Sequence, residues 1–435
     1  MSILKIYEAS DLSEELRASL LRRESAEDPQ ALDIVQSILE NVSSRGESAV
    51  REYCQKFDGF YPEPVLCSEQ EIQTASESVS GEIKKAFSAA AANIRAFHEF
   101  QRSRLSEART KVAGAELGYF YTPVETVAVY VPGGKAMYPS SVLMGVIPAV
   151  VAGVRNIVLL SPANNQGKLN DVVLHCAAMA GATHVLKVGG AHGVAAAAAG
   201  LYAPAAQLIV GPGNRYVTAA KTLLSATGRI RIDQPAGPSE VIVIADKSAN
   251  PAYVASDLLS QAEHGEDSPA ILLTDNRALA EATSLEIEKG LEQRPERRAM
   301  KETSIRKHSF AIVYENLDDA FAFSNDYAPE HLEICTRQPD ADLKKITAAG
   351  SVFLGHFAPV ALGDYYSGTN HVLPTGGTGR MYSGLGVETY MKRITFQHPT
   401  KESLREAWKP IQIMSQVEGL EHEHGHSVDV RFETL

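Results

Sequence analysis

From Thr126 onward the chain alternates short, unbroken apolar runs with alanine-rich stretches of helical spacing. The runs are VAVYV, NIVLL, HVLKV and QLIV, then SEVIVIA, AILLT and SFAIVYE. Apolar runs without polar alternation suit strands buried on both faces, which is how parallel sheets covered by helices read. One set of βα units ends near Leu224 and a second begins after Ser239. The pattern predicts an α/β protein with two Rossmann-like, doubly wound parallel-sheet domains.

Ahead of that region, residues 11–110 predict helices, because Ala31, Ile34, Val35, Ile38 and Leu39 recur at helical spacing. Glu82 to Arg109 continues the pattern. The expected division is a helical N-terminal region over 1–125, packed with the first α/β domain. Residues 126–238 and 239–375 form the two Rossmann-like domains. A small C-terminal segment, 376–435, ends in a helix near Lys401 to Val417 and a His-rich tail, either disordered or docked on a second subunit.

A formal net charge of −12 argues against nucleic acid as the main partner, since phosphate binding normally leaves a basic surface. Cys54, Cys67, Cys176 and Cys335 are widely spaced with no Cys-x-x-Cys pair, so neither a disulfide framework nor a cysteine zinc site is expected. The N-terminus lacks the apolar core of a signal peptide, and the most apolar stretch, Ser141 to Val154, is too short to span a bilayer. The expectation is a cytoplasmic protein with no membrane partner.

Three glycine-rich loops follow expected strands: VPGGKAMYPSS, VGGAHGVAA and VGPGNRYVTAAK. Such a turn lets backbone N–H groups and a helix N-terminus face a phosphate. None is the G-x-G-x-x-G fingerprint or a P-loop, and any one alone reads as punctuation between strand and helix. Together, at one end of successive strands, they would line the place where open α/β sheets bind ligands.

Ionisable candidates gather further along. In ASDLLSQAEHGEDS, Gln261 and His264 lie three apart on one helix face; the ordinary alternative is a His placed near the negative end of a helix dipole. In NDYAPEHLEI, Glu330 and His331 are adjacent, a carboxylate beside a general-base candidate. A regular strand would send them to opposite faces, so a shared site needs a turn at Pro329. The loop GHFAPVALGDYYSGTNHVLPTGG is too long for a plain connection and contains Asp364 and His371. Asp364 is a candidate metal ligand or a helix cap. The tail offers His422, His424 and His426, a metal-binding pattern or a flexible polar end.

These segments, in this order, resemble the histidinol dehydrogenase family. The resemblance rests on AVYVPGG, GPGNRYVTAAK, DQPAGPSEVIVIAD, DLLSQAEHGEDS, YAPEHLE and GDYYSGTNHVLPTGG followed by YSGLGVETYMKR. It implies a homodimeric zinc enzyme that oxidises L-histidinol through the aldehyde to L-histidine with two NAD+ in succession. The implied metal ligands are Gln261, His264, Asp364 and a tail histidine from the partner subunit. Glu330 and His331 become the catalytic pair. Ser239 and Glu418 contact substrate together with His331 and the metal ligands, and Tyr130, His192 and Asn214 contact NAD+. Two positions depart from the family pattern. His192 stands where a glutamine is usual, and Glu423 occupies the usual position of the tail ligand, leaving His424, favoured by the following Ser427 and Arg431, or His422.

Other readings keep part of this chemistry. A paralogue would oxidise another small alcohol or a sulfonated diol. A zinc hydrolase would use Glu330 to activate water and would not bind NAD+. A non-catalytic nucleotide-binding protein would have no use for the paired acid–base and ligand residues.

Overall fold

A computed structural model describes residues 2–23, 29–133, 137–235 and 237–434. They divide into a larger compact unit, Met1–Glu99 with Val124–Tyr390, and a smaller one, Phe100–Pro123 with Met391–Leu435. The strands, in chain order, are β1 (Lys5–Glu8), β2 (Ala108–Val112), β3 (Ala115–Pro123), β4 (Thr126–Tyr130) and β5 (Asn156–Leu160). Next come β6 (His184–Leu186), β7 (Leu208–Val210), β8 (Arg231–Ile232), β9 (Val241–Ala245) and β10 (Ala270–Thr274). Last are β11 (Phe310–Val313), β12 (His331–Cys335), β13 (Ser351–Leu354) and β14 (Met391–His398).

The larger unit holds two parallel sheets, in the orders β6-β5-β4-β7-β8 and β1-β11-β10-β9-β12-β13. Leaving aside β1, both have the same winding: the chain starts in the middle, steps to one side, then crosses back. The reversals fall between β4 and β7 and between β9 and β12. This is the two-sheet α/β fold that the unalternating apolar runs predict. β1 differs from expectation: the N-terminal region is not purely helical, since Lys5–Glu8 extends the second sheet beside β11. A four-residue, half-exposed edge strand carries too little apolar periodicity to announce itself.

β9 shows why such runs fold this way. Val241, Val243 and Ala245 enter one core with Val254, Leu258 and Leu259, while Ile242 and Ile244 enter another with Phe321, Phe323 and Tyr327. Each fully buried Val or Ile contributes about 1.5–3 kcal/mol, so both faces demand helices. The helix Pro29–Arg45 supplies Val35, Ile38 and Val42 to the core of the five-stranded sheet, beside Val194 and Val217. Asparagine side chains cap many helix starts: Asn170, Asn214, Asn250, Asn276 and Asn316 each accept from a backbone N–H in the first turn. No helix among the described residues is long and apolar enough to cross a membrane. The four cysteines are free and buried.

The smaller unit is an antiparallel sheet, β14-β3-β2, with the helices Lys401–Val417 and His426–Phe432. The His-rich tail is ordered within it. Trp408 Nε1 donates to Asp429 Oδ1 at 2.6 Å, Gln412 Nε2 donates to the Gly425 carbonyl at 2.8 Å, and Trp408 stacks on Phe432. The tail packs on its own preceding helix through aromatic and amide groups rather than through its histidines.

Candidate active site

A cluster of ionisable groups lies at the amino-terminal edge of the six-stranded sheet. Ser239 and Glu240 precede β9, while Glu330 precedes β12 and His331 opens it. Crossover helices run antiparallel to the strands, so the helix Pro251–Ala262 returns from β9 and delivers Gln261 to this edge in its last turn. Asp364 stands in the short helix Val360–Tyr365 that follows β13.

Glu330 and His331 share one site. Ala328 takes a left-handed conformation at the end of the preceding helix, and with Pro329 it turns the chain so that regular strand alternation starts only after Glu330. Glu330 Oε2 accepts from Ser239 Oγ at 2.5 Å and from the Glu240 N–H at 3.0 Å, and lies 3.4 Å from His331 Nδ1. His331 Nδ1 also donates to the Glu240 carbonyl at 3.2 Å, which fixes the proton there and leaves Nε2 facing Asp364 Oδ1 at 3.7 Å. That Nε2 is buried and has no hydrogen-bond partner. Burial would lower the pKa of the imidazole, but Glu330 and Asp364 outweigh it and push His331 up to about 10. Burial would likewise raise Asp364, yet His331, His371 and His264 hold it below the ordinary carboxylate value.

Gln261 is 2% exposed, and both its amide oxygen and its amide nitrogen lack partners. A buried amide left without hydrogen bonds costs about 1–3 kcal/mol unless something occupies it. His264 is exposed just past the helix end, its Nδ1 3.1 Å from the Ser260 carbonyl, so it also satisfies the helix-end reading. Asp364 lies inside its helix rather than at the N-cap, which Pro359 occupies, so the capping alternative is set aside. Gln261 Oε1, an imidazole nitrogen of His264 and Asp364 Oδ are the N and O donors that could contribute to a site for a divalent ion such as zinc.

Two features had no role assigned from the sequence. His371 Nδ1 contacts the Asp364 carbonyl at 2.9 Å and its Nε2 lies 3.4 Å from Ser141 Oγ, joining the cluster to the helix that follows β4. Beneath His331, the buried Glu333 faces Asp257, one turn before Gln261. Burial pushes Asp257 up to about 6 against a hydrogen bond with Glu333 that lowers it, while burial and then the charge of Asp257 push Glu333 well above its ordinary value, as when two carboxyls share one proton. Glu333 Oε1 also accepts from the Val360 N–H at 3.2 Å, at the start of the helix that carries Asp364. A charged residue two positions after His331, in an otherwise apolar strand, was the available signal.

At the carboxyl-terminal edge of the five-stranded sheet lies a cavity of about 730 Å³ lined by Tyr130, Pro162, His192, Asn214 and Tyr216, among others. All three expected dinucleotide contacts, Tyr130, His192 and Asn214, line it, while Glu330, His331 and Asp364 do not. Its volume falls in the usual ligand-pocket range of roughly 300–1,000 Å³. Tyr130 Oη accepts from the Gly190 N–H at 3.2 Å, and Asn214 caps the helix Arg215–Ala226. Gly211 sits at φ +105°, where a side chain would run into the Tyr130 carbonyl, so the close approach of two loops requires glycine. Gly134, Lys135 and Ala136 of the first glycine loop, and Ala236 of PAGPSE, lie outside the described residues. Cys54, Asp58 and His192 also cluster beside the cavity, one ligand atom of each within 4.8 Å of the others. Glu418, His422 and His424 belong to the smaller unit, where all three are exposed.

Two parallel sheets of one winding, a ligand-sized cavity on one and a histidine–carboxylate cluster on the other define an α/β enzyme. The family model for histidinol dehydrogenase matches residues 21–432. Among relatives, histidinol dehydrogenase of Leptospira interrogans serogroup Icterohaemorrhagiae serovar Lai (strain 56601) is 49% identical over 413 residues, 95% of this chain and 96% of that protein. The protein of that name from Lactococcus lactis subsp. lactis (strain IL1403) is 40% identical over the full length of both. A crystal structure of histidinol dehydrogenase from Elizabethkingia anophelis, 39% identical, superposes with a TM-score of 0.94 over 100% of this chain and 99% of that one. The chain belongs to the histidinol dehydrogenase family and is an oxidoreductase.

Proposed function

We propose that this protein oxidises L-histidinol through the aldehyde to L-histidine, reducing two NAD+ in succession, as the last step of histidine biosynthesis in the cytoplasm. The observation that carries this reading is the His331–Glu330–Asp364 cluster beside the unpartnered Gln261 amide, in a chain of this family. The metal ligands would be Gln261, His264, Asp364 and His424 of a partner subunit in a homodimer, with His422 the alternative and Glu418 beside the substrate. A dication there would hold the substrate's imidazole and amine nitrogens and offset the carboxylate charge that now keeps His331 protonated.

The chain's own groups then divide the work. His331 Nε2, with Nδ1–H anchored on the Glu240 carbonyl, accepts the hydroxyl proton as hydride passes from the alcohol carbon to the nicotinamide. Glu330, fixed by Ser239 and the Glu240 N–H, takes a proton from the water that adds to the aldehyde. The hydrate gives its hydride to a second NAD+, and loss of the remaining proton leaves the carboxylate. Tyr130, His192 and Asn214 hold the dinucleotide in the cavity. Support for that assignment is the size of the cavity and its place at the strand reversal.

The test mixes zinc-loaded protein with L-histidinol and NAD+ and counts products. Two NADH per histidine, abolished by a chelator, is the expected result. Turnover of a different small alcohol, with none of histidinol, would keep the chemistry and overturn the substrate. No NADH with any alcohol would favour a hydrolase.

A further inference from the structure

The wall of the dinucleotide cavity holds chemistry that the oxidation does not use. After the helix Glu47–Tyr53, the chain makes one π-helical turn, Cys54–Asp58, a widened turn that recurs at functional sites. It carries a thiol and a carboxylate toward His192, which stands in the first turn of the helix Gly190–Ala199. One ligand atom from each residue lies within 4.8 Å of the others, and His192 Nε2 is 3.2 Å from Asp58 Oδ2. Cys54 is 1% and His192 2% exposed, whereas Asp58 opens onto the cavity. Tyr53 and Phe57 wall the imidazole at 6.3 and 6.2 Å between ring centroids.

A tetrahedral zinc-like ion, with bonds of about 2.3 Å to sulfur and 2.0 Å to nitrogen or oxygen, sets its ligand atoms roughly 3.3–3.7 Å apart. The three groups reach that spacing by closing at most about 1.5 Å, and the open side leaves a fourth position toward the cavity. Charge also balances, since one thiolate and one carboxylate neutralise a dication in a buried place. We propose that Cys54, Asp58 and His192 form a second divalent-metal site, suited to a soft ion such as zinc or cadmium, and that an ion there and a dinucleotide exclude each other. His192 and Asp58 line the same cavity as Tyr130 and Asn214, so a bound ion takes the imidazole nitrogen and fills the space beside it. The exclusion rests on the cavity being the dinucleotide site; the metal site does not. Binding replaces the thiol proton, which burial and Asp58 hold with a pKa of about 12, and releases it to solvent.

The experiment titrates zinc-loaded protein with Cd2+ and follows the thiolate-to-cadmium absorption band. Gln261, His264 and Asp364 contain no sulfur, so the band reports only a thiolate site. One equivalent should saturate it, and Cys54→Ser should abolish it, with His192→Gln weakening it. NAD+ binding is read separately by fluorescence quenching. With Cd2+ at about ten times its own Kd, the apparent Kd for NAD+ should rise about tenfold, and in Cys54→Ser it should not move. Absence of the band, or a band that survives Cys54→Ser, overturns the site. A band with no effect on NAD+ overturns the exclusion. A band in protein that never binds NAD+ supports the site and overturns the dinucleotide reading instead.

Discussion

The two parallel sheets share one winding and use opposite edges. The five-stranded sheet gathers its loops at the carboxyl ends of β4, β5, β6 and β7, around a cavity lined mainly by neutral groups and glycine turns. The six-stranded sheet gathers His331, Glu330 and Ser239 at the amino ends of β9 and β12, joined there by a helix end. Carboxyl edges at a strand reversal suit a ligand held by backbone N–H groups and helix N-termini. At the amino edge the returning helices bring their C-termini, whose partial negative charge suits cations and protonated imidazole. Identical topology thus provides two electrostatically opposite surfaces, and side chains decide which is used.

The largest expected effect separates the two edges. His331→Ala should lower the rate of NADH formation by about 10²–10⁴-fold, the range for a lost general base, while NAD+ still quenches fluorescence with unchanged Kd. Loss of both together would mean that the edges do not act independently. Next comes a tether beneath the cavity. Lys221 and Asp233, with side chains 4% and 2% exposed, grip Gly211: Lys221 Nζ donates to its carbonyl at 2.9 Å, and its N–H donates to Asp233 at 2.8 Å. Lys221→Met leaves a buried carboxylate unpaired and should destabilise the protein by about 3–5 kcal/mol in denaturant titration. A change below 1 kcal/mol, on the order of an exposed ion pair, would show the tether to be ornamental.

Asn214→Ala removes a helix cap and a cavity wall at once. It should cost about 1 kcal/mol of stability and raise the KM for NAD+ with little change in kcat. An equal fall in kcat would tie this loop to the chemistry of the other sheet. The smallest effect is a pH dependence at the amino edge. Burial, opposed by Arg23 and reinforced by Glu330, pushes Glu240 up to about 7 from an ordinary value near 4.5. The folded protein holds this proton more tightly than the unfolded chain, so the contribution is full below pH 4.5 and fades as pH rises through about 7. Glu240→Gln should flatten that part of the Tm–pH curve, and an unchanged slope would assign the titration to another group.

Local pattern was legible along the chain. Unalternating runs such as VIVIA demanded sheets covered on both faces, and the spacing of Gln261 and His264 set both near one helix end. The chemistry-bearing motifs were legible too, each as a possibility beside a plainer one. Which residues meet was settled by the folded chain. It set Glu330 and His331 in one site through the turn at Ala328 and Pro329, brought Asp257 under Glu333, and laid Cys54 and Asp58 against His192, 134 residues beyond Asp58. It also added β1 to a sheet whose other strands lie more than 200 residues later, and folded the His-rich tail onto its own helix. Periodicity reports which face of an element is buried, because that is a property of neighbours along the chain. Which face meets which depends on crossovers and strand order, and those are settled only when distant segments compete for the same apolar surface.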